Sequence, residues 1–182
     1  TIYYGDEIGM HDIPVPPELV RDPWEINIPG FGLGRDPERS PMQWDASPNA
    51  GFCPPDVQPW LPVAADYPQV NVAVQRSDTH SLLSLTHALL QLRRATPALS
   101  LGSYTSLESM SPDCFVYQRQ YEQQSCLIAL NFSSNERRVS LPGADSEHIL
   151  LSTYLDRNEA VEPGDVRLRP HEGVMIELRD SM

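Results

Sequence analysis

Thirteen of the 18 prolines fall before residue 70, and that crowding decides most of what the first third of the chain can become. Proline fixes φ and donates no backbone hydrogen bond, so helix interiors and central strands reject it. The stretch up to residue 70 is therefore a long irregular excursion. Loops of that length are uncommon in compact domains unless they bind something or are disordered. This one carries Trp24, Trp44, Trp60, Phe31 and Phe52, whereas disordered segments are usually poor in aromatics. An ordered, functional loop is expected.

The excursion is bracketed by two regular elements. Thr1 to Tyr4 is a β-prone run that ends at Gly5 and is followed by the adjacent acids Asp6 and Glu7. Beyond the loop, Leu82, Leu85, Leu89 and Leu92, with Leu83 and Leu90 alongside, have the spacing of an amphipathic helix over Ser81 to Arg94. Ser77 or Asp78 is expected to cap its start, Arg93 and Arg94 complement the dipole at its end, and Pro97 stops it. Strand, enlarged loop and helix make one βα unit.

From Gly102 the texture changes. Ser103 to Leu107, Cys114 to Tyr121, Cys126 to Phe132, Arg137 to Leu141, Ile149 to Tyr154 and Val174 to Leu178 read as strands. Turn signals such as Ser111-Pro112-Asp113, Pro142-Gly143 and Glu162-Pro163-Gly164-Asp165 separate them, which predicts an antiparallel β-sandwich. The domain boundary is placed near residue 100.

A net charge of −12 would repel phosphate backbones and anionic lipid, so nucleic acid and membrane surfaces are poor partners. No apolar run approaches the roughly 20 residues of a membrane span. Cys53, Cys114 and Cys126 are an odd number without metal-ligand spacing, so neither a disulfide framework nor a metal site is expected. A turn at Glu122 to Gln124 would set Cys126 opposite roughly Gln120, too far from Cys114 for a bond. Three free thiols suit a reducing, cytoplasmic compartment. Thr1 to Gly5 has neither an initiator Met nor signal-peptide regions and reads as the middle of a longer chain, which leaves an upstream signal open.

Tyr3-Tyr4-Gly5-Asp6-Glu7-Ile8-Gly9-Met10 resembles the end of the eighth barrel strand in alpha-glucosidases of the alpha-amylase superfamily, glycoside hydrolase family 13. Gly34-Arg35-Asp36-Pro37-Glu38-Arg39-Ser40-Pro41-Met42-Gln43-Trp44-Asp45, with Asn49-Ala50-Gly51-Phe52, is similar to a run shared by oligo-1,6-glucosidases, maltases and trehalose synthases. Asp6 stands where a Glu is usual, and Ser40 where a Thr is. Pro59-Trp60-Leu61-Pro62, Asn71-Val72 and Gly102-Ser103-Tyr104 continue the likeness. It implies a fragment of a (β/α)8 TIM barrel, namely its last strand, long loop and last helix, over residues 1–100. A C-terminal antiparallel β-sandwich over 101–182 follows.

The resemblance also implies an activity, retaining hydrolysis of alpha-glucosidic bonds in short gluco-oligosaccharides. Retention requires two carboxyl groups about 5 to 5.5 Å apart. Asp6 and Glu7 are adjacent at a strand end and tend to point to opposite faces, so they are not that pair. In the family the catalytic acids come from earlier strands, so no catalytic residue is assigned, and the fragment alone is expected to be inactive. Substrate binding is assigned to Arg35 first and Arg39 second, whose guanidinium donors suit sugar hydroxyls or a carboxylate that binds them. Asp6 and Glu7 either line a subsite or organise the loop. For the two arginines the bland reading is that ion pairs merely hold the loop together.

Trp44 and Trp60 are expected to pack as loop anchors rather than stack on sugar. His11 reads as a loop residue, and His80, His87, His148 and His171 receive no chemistry. No cofactor is implied; the partners are the oligosaccharide and the remainder of the barrel. Competing readings are a glucosyltransferase or isomerase such as a trehalose synthase or sucrose isomerase, a non-catalytic structural relative, and a carbohydrate-binding module.

Overall fold

The computed structural model describes residues 1–109, 111–140, 146–161 and 164–179. They form two compact units, Thr1–Thr86 and His87–Met182, which divide inside one helix.

In the first unit regular structure is sparse. Short helical turns at Asp6–Ile8, Pro17–Leu19, Pro37–Arg39 and Pro48–Gly51 accompany two five-residue helices, α1 (Pro23–Asn27) and α2 (Val72–Arg76). Proline opens four of these six elements, where its missing N–H costs nothing. The strand expected at Thr1 to Tyr4 is not formed: a strand requires a paired neighbour, and none pairs here among the described residues.

Tertiary hydrogen bonds do the organising instead. Gln43, fully buried, donates from Nε2 to the Val70 carbonyl at 2.7 Å, and the carbonyls of Gln43 and Trp44 accept from Val72 and Ala73. Asn71 caps α2 by accepting from Val74 N at 2.8 Å. Gln75 bridges the acidic turn and the next helix, donating to the Ile8 carbonyl at 2.6 Å and accepting from Leu83 N at 3.0 Å. Ile8, Met42 and Val72 form the apolar centre, with Met10 and Leu83 against it.

The helix α3 runs Leu82–Ala95. Its cap is neither Ser77 nor Asp78. Ser77 closes α2, Asp78 accepts from His80 N, and the Ser81 hydroxyl accepts from Ser84 N. A third residue with the same capping chemistry sat nearer the first helical turn. No α3 residue is fully buried, and Leu82 and Leu90 are exposed.

The second unit holds the end of α3, α4 (Pro97–Leu101) and eight strands: β1 (Ser103–Leu107), β2 (Cys114–Tyr121), β3 (Gln124–Asn131), β4 (Arg137–Ser140), β5 (Ser146–Ser152), β6 (Ala160–Val161), β7 (Asp165–Leu168) and β8 (Gly173–Arg179). Six make an antiparallel sheet in the order β1-β2-β3-β8-β5-β6, and β4 pairs with β7. Strand alternation gives the larger sheet two apolar faces. Leu127, Ala129, Val174, Ile176 and Leu178 pack with Val139 of β4 and Val166 and Leu168 of β7. Cys126 and Ile128 face the other way, onto Ala98 and Leu99 of α4.

Strands β6 and β7 were not foreseen. β6 is too short to show a period, and the turn signal at residues 162–165 overlaps the start of β7; Glu162 and Pro163 lie outside the described residues, as do Leu141 and the turn at Pro142-Gly143. The β2–β3 turn is one residue tighter than expected, so Cys126 sits opposite Arg119 rather than Gln120, and Cys114 opposite Asn131. All three thiols are free.

Candidate substrate-binding loop

The loop's polar centre is a residue that pattern reading passed over. Asp22 caps α1, its Oδ1 accepting from Trp24 N at 2.9 Å. The same carboxylate receives Arg35: Nε donates to Oδ2 at 2.6 Å, Nη2 to Oδ1 at 3.3 Å, and the Arg35 backbone N to Oδ2 at 3.2 Å. Arg39 Nη1 lies 3.8 Å from Oδ2. The Asp22 side chain has no solvent exposure, yet its carboxyl is held down at about 2, chiefly by the Arg35 hydrogen bond and then by Trp24 N. The partner also holds the Arg35 guanidinium above its usual range.

A second buried carboxylate supports the first. Asp36 Oδ2 accepts from Arg21 N at 2.6 Å and Asp22 N at 2.8 Å. Segments 21–24 and 35–39 are thereby laced together from both sides, each lending a carboxylate to the other's backbone. Sequence patterning could not single out Asp22, because Arg-Asp-Pro is an ordinary helix-start signal.

The structure therefore brings Arg35 and Arg39 together on Asp22, a partner that the ion-pair reading did not name. It leaves donors over. Among the described residues, neither Arg35 Nη1 nor the Arg39 guanidinium has a hydrogen-bond acceptor. Both side chains are partly exposed.

Asp6 and Glu7 sit in the turn between Gly5 and Gly9, both in the left-handed region. Asp6 accepts from Tyr3 N and Glu7 from Gly5 N, each at 2.8 Å. They organise their own turn, and they do so at the surface: Asp6 is exposed and Glu7 half-buried. Gly5 is required at φ 94°, where an added Cβ would also meet Met10 Sδ at 2.9 Å. Tyr4 joins this turn to the arginine segment by donating to the Ser40 carbonyl at 2.9 Å. Burial and Tyr3 push its phenol up against the opposing charge of Arg39.

Two cavities border these groups. One, of about 770 Å3, is walled by Asp12, Glu25, Ile26, Asp36 and Glu38. The other, of about 390 Å3, lies among Tyr4, Glu7, Trp44, Phe52 and Trp60. Trp44 and Trp60 are each 49% exposed, so their indoles are not the packed anchors expected; the anchoring of Trp44 is done by its backbone. Among the described residues no cluster has the makings of a metal site, and no helix is long and apolar enough to cross a membrane.

Comparison with known proteins fits this loop into a larger group. The alpha-amylase catalytic-domain family matches residues 1–102. An oligo-1,6-glucosidase of Parageobacillus thermoglucosidasius is 31% identical over 98% of this chain and 35% of its own length. Maltase 1 of Drosophila virilis is 31% identical over 97% of the chain and 29% of its own. Among solved structures, the alpha-glucosyl transfer enzyme XgtA superposes with a TM-score of 0.82 at 32% identity, covering 98% of this chain and 32% of that one. Trehalulose synthase MutB of Pseudomonas mesoacidophila MX-45 gives 0.81 at 28% identity, covering 98% and 35%. The chain spans about a third of the length of these relatives. With the catalytic-domain match covering the laced loop and more than half of the chain's residues, the chain belongs to the alpha-amylase family, glycoside hydrolase family 13.

Proposed function

We propose that this chain is part of a retaining alpha-glucosidase acting on short alpha-linked gluco-oligosaccharides, in which residues 1–100 close a (β/α)8 catalytic barrel and residues 101–182 form a β-sandwich. Its contribution is substrate recognition. The observation that carries this reading is the pair Arg35 and Arg39, held on a buried carboxylate with guanidinium donors left over. Donors fixed in advance lose little freedom when a sugar hydroxyl arrives.

The reaction's own carboxylates are proposed to come from outside this chain. Asp6 and Glu7 each commit an oxygen to backbone N–H groups within three residues, a role that suits shaping a subsite wall better than exchanging protons. In the retaining route one carboxylate attacks the anomeric carbon and forms a glycosyl-enzyme ester, while a second protonates the departing oxygen and then activates water. Aromatic rings at Trp44 and Trp60 offer faces for the apolar side of a pyranose.

A second reading, glucosyl transfer or isomerisation, is favoured by the likeness to XgtA and to MutB, which has been solved with sucrose and with glucose bound. Whether water or a sugar hydroxyl takes the glucosyl group decides between the two.

The test is product analysis on the full-length protein with maltose, isomaltose and sucrose. Expected is glucose released with the alpha anomer first, followed by proton NMR. A sucrose isomer without net hydrolysis would move the assignment to the second reading, and absence of turnover on all three would sink both.

A further inference from the structure

We infer that Asp22 is the positioning residue of the sugar-binding arginine, setting the Arg35 guanidinium before substrate arrives; this rests on the substrate role proposed for Arg35. Asp22 has no exposed side-chain surface, so it cannot meet a sugar itself. Anything it does for binding passes through what it holds. Its two oxygens are fully used: Oδ1 takes Trp24 N and Arg35 Nη2, and Oδ2 takes Arg35 N and Nε, with Arg39 alongside.

That pattern fixes Arg35 at both ends of its side chain. The backbone is pinned through N, and the guanidinium through its Nε–Nη2 edge. A planar fork held along one edge has one orientation left, with Nη1 directed away from the carboxylate. Asp22 is in turn seated by Asp36, which takes the backbone N–H groups of Arg21 and Asp22. Support therefore runs from Asp36 to the backbone at 21–22, to the Asp22 carboxylate, to Arg35.

Charge reinforces the geometry. Two guanidinium groups share the Asp22 carboxylate, Asp36 and Glu38 also act on Arg35, and the donors left over suit the lone pairs of sugar hydroxyls. Neutralising Asp22 would leave two cations facing each other across a buried amide. Arg35 would turn toward solvent and the preset donors would be lost, a displacement of the kind that costs about 10- to 100-fold in rate.

The experiment is a double-mutant cycle in the full-length enzyme, with Asp22→Asn, Arg35→Ala and the pair. It is read as kcat/KM on whichever disaccharide the protein turns over, with thermal midpoints measured beside it. Expected is an Asp22→Asn loss of about 10- to 100-fold, an Arg35→Ala loss at least as large, and a double variant no worse than Arg35→Ala alone. A residue that only stabilises the loop would not show that coupling. The inference is overturned if Asp22→Asn matches the wild type while Arg35→Ala is impaired, or if the two losses multiply. Should Arg35→Ala prove harmless, the sugar-binding role of Arg35 fails first, and the inference with it. If Asp22→Asn does not fold, Asp22→Glu, which keeps the charge and shifts it by one methylene, takes its place in the same cycle.

Discussion

Asp22 and Asp36 are nearly sealed from solvent, yet each is satisfied by donors arriving from the other's segment. A buried carboxylate is costly unless it is hydrogen-bonded and paired, and these meet that condition by making the loop fold around them. Cys126 illustrates the opposite use of burial. Its thiol is fully enclosed and pushed up to about 11, first by burial and then by Glu177. Cys53 and Cys114 are half-exposed. A thiolate-directed reagent at pH 8 is expected to label the native chain at those two positions and to reach Cys126 only after unfolding; stoichiometric labelling of all three in the native state would contradict this. At this scale Arg35 and Arg39 stood out in the sequence as fork-shaped cations in a recognisable run, and the structure pairs both with one carboxylate. The sequence did not show Asp22, whose importance lies in partners 13 residues away.

Elements were most legible where local pattern and final environment agree. The strand expected at Val174 to Leu178 lies within β8, where alternate residues Val174, Ile176 and Leu178 are buried as a strand's period of two requires; β1 and β2 also span the expected residues. The Thr1 to Tyr4 run has strand propensity but no ladder, since pairing is not a local property. One junction shows how closely elements approach. An added Cβ at Gly102, between α4 and β1, would lie 2.3 Å from the Ala98 carbonyl oxygen and 2.8 Å from that of Gln120. Its φ of −64° is open to any residue, so the constraint is space alone. Gly102→Ala is expected to destabilise by about 1–3 kcal/mol in a urea titration. An unchanged midpoint would mean that α4 moves aside freely.

Across the whole molecule, both units depend on carboxylates whose folded pKa is depressed. Asp22 is held at about 2 by Arg35, and Asp45 is lowered by Ser47. Asp156 is lowered by Arg169; burial raises Glu172, but Arg169 and Ser152 outweigh it and leave it low. Such groups bind protons more readily when unfolded, so they contribute stability above the unfolded carboxylate range that is lost as pH falls through the folded values. The urea midpoint is therefore expected to drop between about pH 4 and pH 2; a midpoint flat over that window would refute the assignment. What was legible at this scale is that regular structure is sparse through the proline-dense first third and that strands begin after Gly102. The place where the compact units divide was not, because an uninterrupted helix crosses it.

The lacing of residues 21–24 to 35–39 also says something about variation. Everything between Asp22 and Arg35 hangs from two tied points, and within it Trp24, Ile26, Phe31 and Leu33 face solvent. The intervening segment is therefore tied at its base and open to solvent along much of its length. Its length and side chains can be rewritten, redrawing the wall of the 770 Å3 cavity that Glu25, Ile26, Pro29 and Gly32 help to form, while the knot at its base keeps Arg35 where it is. Exchanging the dozen residues 23–34 would thus change the cavity's shape and polarity without touching the ion pair between Asp22 and Arg35.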